Sequence, residues 1–233
     1  MKIDVKGAIV SDSDKWIYDW LDIQATSPRD INRALEKANG EEVEVIINSG
    51  GGDVFSGSEI YTALKDYRGK TTGKIVGIAA SAASVAAMGV DVLSISPTAQ
   101  VMIHRASMVA RGNAQNFENG ATVLKGIDKS IANAYILKTG MQQEELLNLM
   151  SNETFMTAQE AKEKGFVDSI MFDDGVKFAA NMENGMLPQK LIDKIRNELK
   201  GKITNEIEEG TVVGNSNNEE LEIAKAKLKL QLI

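Results

Sequence analysis

The chain has 233 residues, 43% hydrophobic and 25% charged, with a net charge of −7, the balance of one globular domain with an appendage rather than of a disordered or fibrous chain. The negative charge disfavours nucleic acid and anionic membrane surfaces as partners. With no cysteine and one histidine, disulfides and a cysteine nucleophile are excluded, a zinc site is disfavoured, and no metal or cofactor is expected.

The start, MKIDVKGAIVSDSDKW, lacks the apolar run of a secretory signal. No segment approaches the ~20 apolar residues of a membrane span, so a soluble, cytoplasmic protein is expected. Residues 2–10 alternate as a strand, stopped by the Ser/Asp cluster at 11–14. WIYDWLDIQ, with Trp16 and Trp20, fits neither period and is expected to leave the core as an excursion. SPRDINRALEKANG carries full helix punctuation: Ser27 as N-cap, Pro28 in the first turn, Asp30 near the start and Gly40 as the stop. The β-branched run VEVIIN (43–48) predicts a buried strand, and a helix is predicted from Val54 to Tyr67.

Further strands are predicted at Lys74–Ala79, 92–96 and 101–104, with a small-residue helix starting near Ser81 between the first two. Strands alternating with helices of this length indicate an α/β fold with a largely parallel sheet. Residues 113–138 give the longest helical pattern, with a broad apolar face that includes Phe117, Val123, Leu124, Ile127, Ile131 and Tyr135. A helix of ~26 residues spans about 39 Å, more than one sheet covers, so part of it is expected to bury against another subunit, with Ile127 and Ile131 in that contact. A short helix follows in MQQEELLNLM, then a capping box of Thr157 and Glu160 opens a helix over 158–164, and 166–172 is predicted as the last core strand. The main domain is expected to occupy 1–175. Residues 176–233 are read as a tail, partly helical at 187–200 and partly flexible.

Two features carry chemistry. In INSGGGDVFSG (47–57) three glycines follow a strand and precede a helix, which allows positive φ, close backbone approach and an anion-binding nest of N–H groups. It is neither a P-loop nor a dinucleotide-binding fingerprint, since the Lys-Ser/Thr and the G-x-G-x-x-G spacing are both absent. In GIAASAAS…VMIH, Ser81 stands at a strand-to-helix turn, where helix-start N–H groups and the positive dipole end gather. His104, the sole histidine, stands at a strand end. A serine beside unpaired N–H donors, with a histidine in reach, has the parts for acyl transfer. The same residues also fit a plain N-cap and a structural histidine.

INSGGG…GIAAS…VMIH…ETFMTAQEAKEKGFVDSI, from about residue 40 to 172, resembles the proteolytic subunit of the Clp protease, nearest to the Clp-like peptidases of phage genomes, some of which are prohead proteases. The resemblance implies a crotonase-like spiral of strand–strand–helix units with a protruding handle helix, here 113–138. It implies a serine endopeptidase acting on protein or peptide substrates inside a homo-oligomer of stacked rings, with an AAA+ unfoldase or phage capsid and scaffold proteins as partners. Carried over by position, Ser81 is the nucleophile, His104 the general base and Glu153 the acid, with the N–H groups of Gly52 and Ala82 as oxyanion hole. The chain departs from the pattern at Gly50, where the family has Pro, and at Glu153, where it has Asp. Ser84, one turn after Ser81, is the competing nucleophile, and Asp168 the competing acid. The alternatives are a crotonase-fold enzyme acting on acyl-CoA, an inactive scaffold ring, and a Ser–Lys peptidase that has no need of His104.

Overall fold

The computed structural model describes residues 1–173. The expected domain boundary near 175, the helix at 187–200 and the tail 176–233 lie outside the described residues.

Lys2–Ile9 (β1) opens the sheet, and Lys15–Trp20 (α1) with the two-residue strand Ala25–Thr26 (β2) forms the excursion, leaving Trp16 and Trp20 64% and 77% exposed. Pro28–Ala38 (α2) starts as its sequence demands. Ser27 and Asp30 exchange the two hydrogen bonds of a capping box, and Ile31, Leu35 and Ala38 are buried. The helix closes one residue earlier than expected, on Asn39 in the left-handed region.

Val43–Gly52 (β3), Val54–Asp66 (α3) and Thr71–Ala80 (β4) follow. The three glycines stay in the sheet rather than forming a turn: β3 continues through them, pairing Ala8 with Gly51 and Ile9 with Gly52. The short helix Ala82–Ala87 (α4) is buried along its whole length. Val92–Ile95 (β5) and Gln100–Ile103 (β6) come next, then the long helix Ala114–Thr139 (α5) and Gln143–Ser151 (α6). Thr154–Thr157 (β7), Ala158–Glu163 (α7) and Ser169–Ile170 (β8) complete the described chain.

The sheet order is β2-β1-β3-β4-β5-β8, with β6 pairing β4 and β7. All pairs are parallel except β6 with β7. The sequence missed β7, because TFMT is too short to alternate visibly and runs directly into the capping box of α7. The last strand is also shorter than expected.

Strand β4 serves two neighbours. Thr72–Ile75 pair with β5, and Ile78–Ala80 pair with β6. Its register against β3 shifts between Ile47 and Ser49, where the Asn48 side chain accepts the Ile78 N–H. That irregularity turns the end of β4 out of one ladder and into the other. This is the parallel-dominated α/β architecture of the crotonase-like fold.

The core is one cluster contributed by every layer, from Val45, Ile47 and Ile75 in the strands to Ile60, Leu64 and Tyr135 in the helices. Helix α5 is only half committed to it. Ile131, Ala132, Ala134 and Tyr135 are buried, whereas Phe117, Val123 and Leu137 remain 54%, 54% and 75% exposed. The broad apolar face is therefore real, but Ile131 faces the core rather than solvent.

Helices α3 and α4 approach at Gly57, where a Cβ would lie 2.7 Å from the Ala82 carbonyl oxygen and 2.9 Å from its Cβ. Gly57→Ala is expected to destabilise the protein by about 1–3 kcal/mol from overpacking, although alanine adds roughly 1 kcal/mol of helix propensity. A denaturation midpoint equal to or above that of the wild type would show that the two helices separate freely.

Candidate active site

The parallel ladder of β4 on β6 pairs Ala80 with Met102, and the next residue, Ser81, donates its backbone N–H to the Met102 carbonyl at 3.0 Å. His104 follows on the same strand end. Its Nε2 lies 2.7 Å from the Ser81 Oγ. Two residues expected to work together are thus brought into contact by backbone pairing, each half-buried at the mouth of a cleft.

Ser81 has φ 54 and ψ −127, a conformation that costs a non-glycine residue about 1–3 kcal/mol. The turn resembles the sharp strand-to-helix elbows on which other enzymes present a nucleophilic serine. It projects the hydroxyl outward while the first helical N–H, that of Ala82, is left without an intrahelical partner. Gly51 makes room: a Cβ on it would stand 2.6 Å from the Ala80 carbonyl oxygen and 2.7 Å from the Ser81 Cβ.

Gly52, Ser81, Ala82 and His104 share a cleft of about 330 Å³ with Phe55, Val85, Met108, Val123, Leu124, Ile127 and Ile131. Such a lining binds apolar side chains, with few polar groups to orient a substrate. Ile127 and Ile131 therefore line the cleft.

Ser84 is fully buried and its hydroxyl is committed, donating to the Ser81 carbonyl at 2.6 Å and sharing a 2.8 Å hydrogen bond with Tyr135. It is no rival nucleophile. Asp168 accepts from the Leu93 N–H and from Lys138, both at 2.6 Å, so its carboxylate joins β5, α5 and the start of β8.

Glu153 is exposed, with φ 46. The antiparallel register of β6 on β7 ends at Ile103 opposite Thr154, so His104 and Glu153 each flank the last pair of that ladder. The two side chains make no hydrogen bond to each other, and the His104 Nδ1 has no partner among the described residues.

The sequence reading passed over Asp128, which is 3% exposed. It accepts from the Ala106 N–H at 2.8 Å and from Arg105 at 2.9 Å. The signal was present: an aspartate interrupts the apolar stripe Leu124, Ile127, Ile131, Tyr135. Burial holds the Tyr135 hydroxyl protonated, raising its pKa well above the ordinary range by desolvation, against the hydrogen bond to Ser84, which acts to lower it.

A parallel α/β sheet with a serine–histidine contact at the end of its central strand has the arrangement that a serine-type hydrolase uses. The Clp protease family matches residues 31–174. The chain is similar to the ATP-dependent Clp protease proteolytic subunit of Deinococcus radiodurans, 31% identical over 140 residues, which is 59% of this chain and 69% of that protein. It is equally similar to the ATP-dependent Clp protease proteolytic subunit 1 of Chlamydia abortus, 31% identical over 143 residues, 59% of this chain and 74% of that one. The chain belongs to the Clp protease family and is a serine-type peptidase. Among the described residues no helix is long and apolar enough to cross a membrane.

Gly51→Ala forces a methyl group against the elbow at φ 93, so it is expected to lower kcat/KM on a short fluorogenic peptide by about 100-fold through displacement of Ser81. Retention of more than half the wild-type value would mean that the elbow tolerates the shift.

Proposed function

We propose that the protein is an endopeptidase in which Ser81 is the nucleophile, His104 the general base and Glu153 the residue that orients His104. The observation that carries this reading is the 2.7 Å contact between His104 Nε2 and Ser81 Oγ at an apolar cleft. Ser81 Oγ attacks the scissile carbonyl as its proton passes to His104 Nε2. The oxyanion forms beside the N–H groups of Gly52 and Ala82. His104 then returns the proton to the leaving amine, and water, activated by the same base, hydrolyses the acyl-enzyme. An acyl-CoA hydratase has no use for a short serine–histidine hydrogen bond, so the contact favours peptide hydrolysis over the crotonase alternative.

Supporting Glu153 in this role are its position directly before β7, which pairs with the strand leading into His104, and the engagement of Asp168 elsewhere. Ser81→Ala is expected to lose ~10⁴–10⁶ in kcat, and Glu153→Gln up to about 10⁴ with little change in KM. Asp168→Asn keeps most activity at a cost in stability. Steady-state peptide hydrolysis checks all three. Turnover in Ser81→Ala ends the proposal, and a reversed order of the two carboxylate variants transfers the acid role to Asp168.

The enzyme is further proposed to work in the cytoplasm as stacked rings joined through the exposed half of α5, acting on protein or peptide substrates. The relatives are named as subunits of ATP-dependent proteases, which favours an ATP-driven unfoldase partner. A role in phage capsid or scaffold processing needs no such partner. Aspartate at Phe117 or Val123 is expected to convert a ring-sized species in sedimentation velocity to smaller ones, by placing charge in a buried contact. A wild-type chain that sediments as a monomer at micromolar concentration refutes the rings.

A further inference from the structure

Two polar side chains on the buried face of α5 each grip one half of the Ser81–His104 pair. Tyr135 reaches the nucleophile's side. Ser84 has one proton and gives it to the Ser81 carbonyl, so the 2.8 Å contact is a hydrogen bond donated by the Tyr135 hydroxyl. The Ser81 carbonyl, already bonded by the N–H groups of Ser84 and Val85, is thereby tied through Ser84 to α5.

Asp128 reaches the base's side. Its carboxylate takes the Ala106 N–H, two residues past His104, and one nitrogen of Arg105. The rest of the Arg105 fork donates to the Ser151 hydroxyl at 2.7 Å and the Leu147 carbonyl at 3.2 Å. The grip therefore extends to the end of α6, just before Glu153. Asp128 and Tyr135 are two helical turns apart and share one face of α5, about 10 Å from each other along its axis.

Resting on the reading of Ser81 and His104 as the catalytic pair, we propose that α5 is a positioning brace that sets their spacing, with Tyr135 and Asp128, extended by Arg105, as its positioning residues. Neither Asp128 nor Arg105 lines the cleft, and the Tyr135 hydroxyl is spent on Ser84. Their effect on the reaction passes through the strained elbow on one side and the strand end on the other. A rigid helix suits this task, because a hydrogen-bonded segment with two fixed side chains holds a distance that two loops leave free.

The test uses the full chain, with three readouts: the rate of Ser81 labelling by a fluorophosphonate, kcat and KM on a short peptide, and the thermal midpoint. Tyr135→Phe and Asp128→Asn preserve shape and remove one grip each. Both are expected to lower the labelling rate and kcat by about 10- to 100-fold, with KM within roughly two-fold. Arg105→Lys keeps the ion pair with Asp128 but loses the fork, and is expected to give an intermediate loss even where Asp128→Asn fails to fold. Leu35→Ala, buried under α2 and away from the cleft, weakens the core without touching α5. It is expected to lower the thermal midpoint while keeping kcat.

Wild-type labelling rates in Tyr135→Phe and Arg105→Lys overturn the brace and leave the peptidase reading standing. Losses of kcat in Leu35→Ala as large as theirs also overturn it, since global stability alone then accounts for the effect. A wild-type chain that does not label at Ser81 overturns both.

Discussion

The active pair depends on the short ladder between the end of β4 and β6. Three residue pairs, Ile78 with Gln100 through Ala80 with Met102, fix the register, and the Ser81 N–H extends it by one hydrogen bond to Met102. A slip by one residue would turn every side chain of β6 to the opposite face and carry His104 away from Ser81. That ladder exists only because β4 leaves β5 after Ile75, through the irregularity that Asn48 and the Ile78 N–H stabilise. The branching of one strand between two partners is the feature from which the cleft and the Ser81–His104 contact both follow.

The elbow at Ser81 is strained, and its neighbours hold it there from several directions. Gly51 packs against it where no side chain fits, and Gly57 lets α3 press on the start of α4. The Ser81 carbonyl accepts from the Ser84 hydroxyl and from the N–H groups of Ser84 and Val85. No buried side-chain polar atom among the described residues lacks a partner, so the strain is not compounded by unsatisfied groups, each of which would cost about 1–3 kcal/mol. Strain at one residue, satisfied bonding around it, is the usual condition of a preorganised site.

Helix α5 divides its length between two tasks. Its second half lies in the core, where Ile131, Ala134 and Tyr135 are buried and Asp128 is fully bonded. Its first half presents Phe117 and Val123 to solvent. Those exposed apolar side chains are the surface on which the proposed ring contact rests. The buried portion, by contrast, already has its own in the elbow and in the strand end that bears His104.

Much of this was legible in the residues. Caps and stops marked α2 and α7 within a residue or two, because local hydrogen bonding by Ser27 and Thr157 decides those starts wherever the helix sits. The α/β class followed from alternating periods, and Ser81 and His104 stood out by residue type and by their places at strand ends. What the sequence alone left undecided was whatever depends on contacts between distant segments. That Ser84 is a buried bridge and not a nucleophile requires Tyr135, which lies 51 residues on. That Asp168 is bound to Leu93 and Lys138 requires three elements to meet. The strand β7, which directly follows Glu153, is held by pairing with β6 rather than by its own four residues. Local chemistry marked where the helices begin and which side chains were able to react; only the packing of strand on strand decided which of them meet.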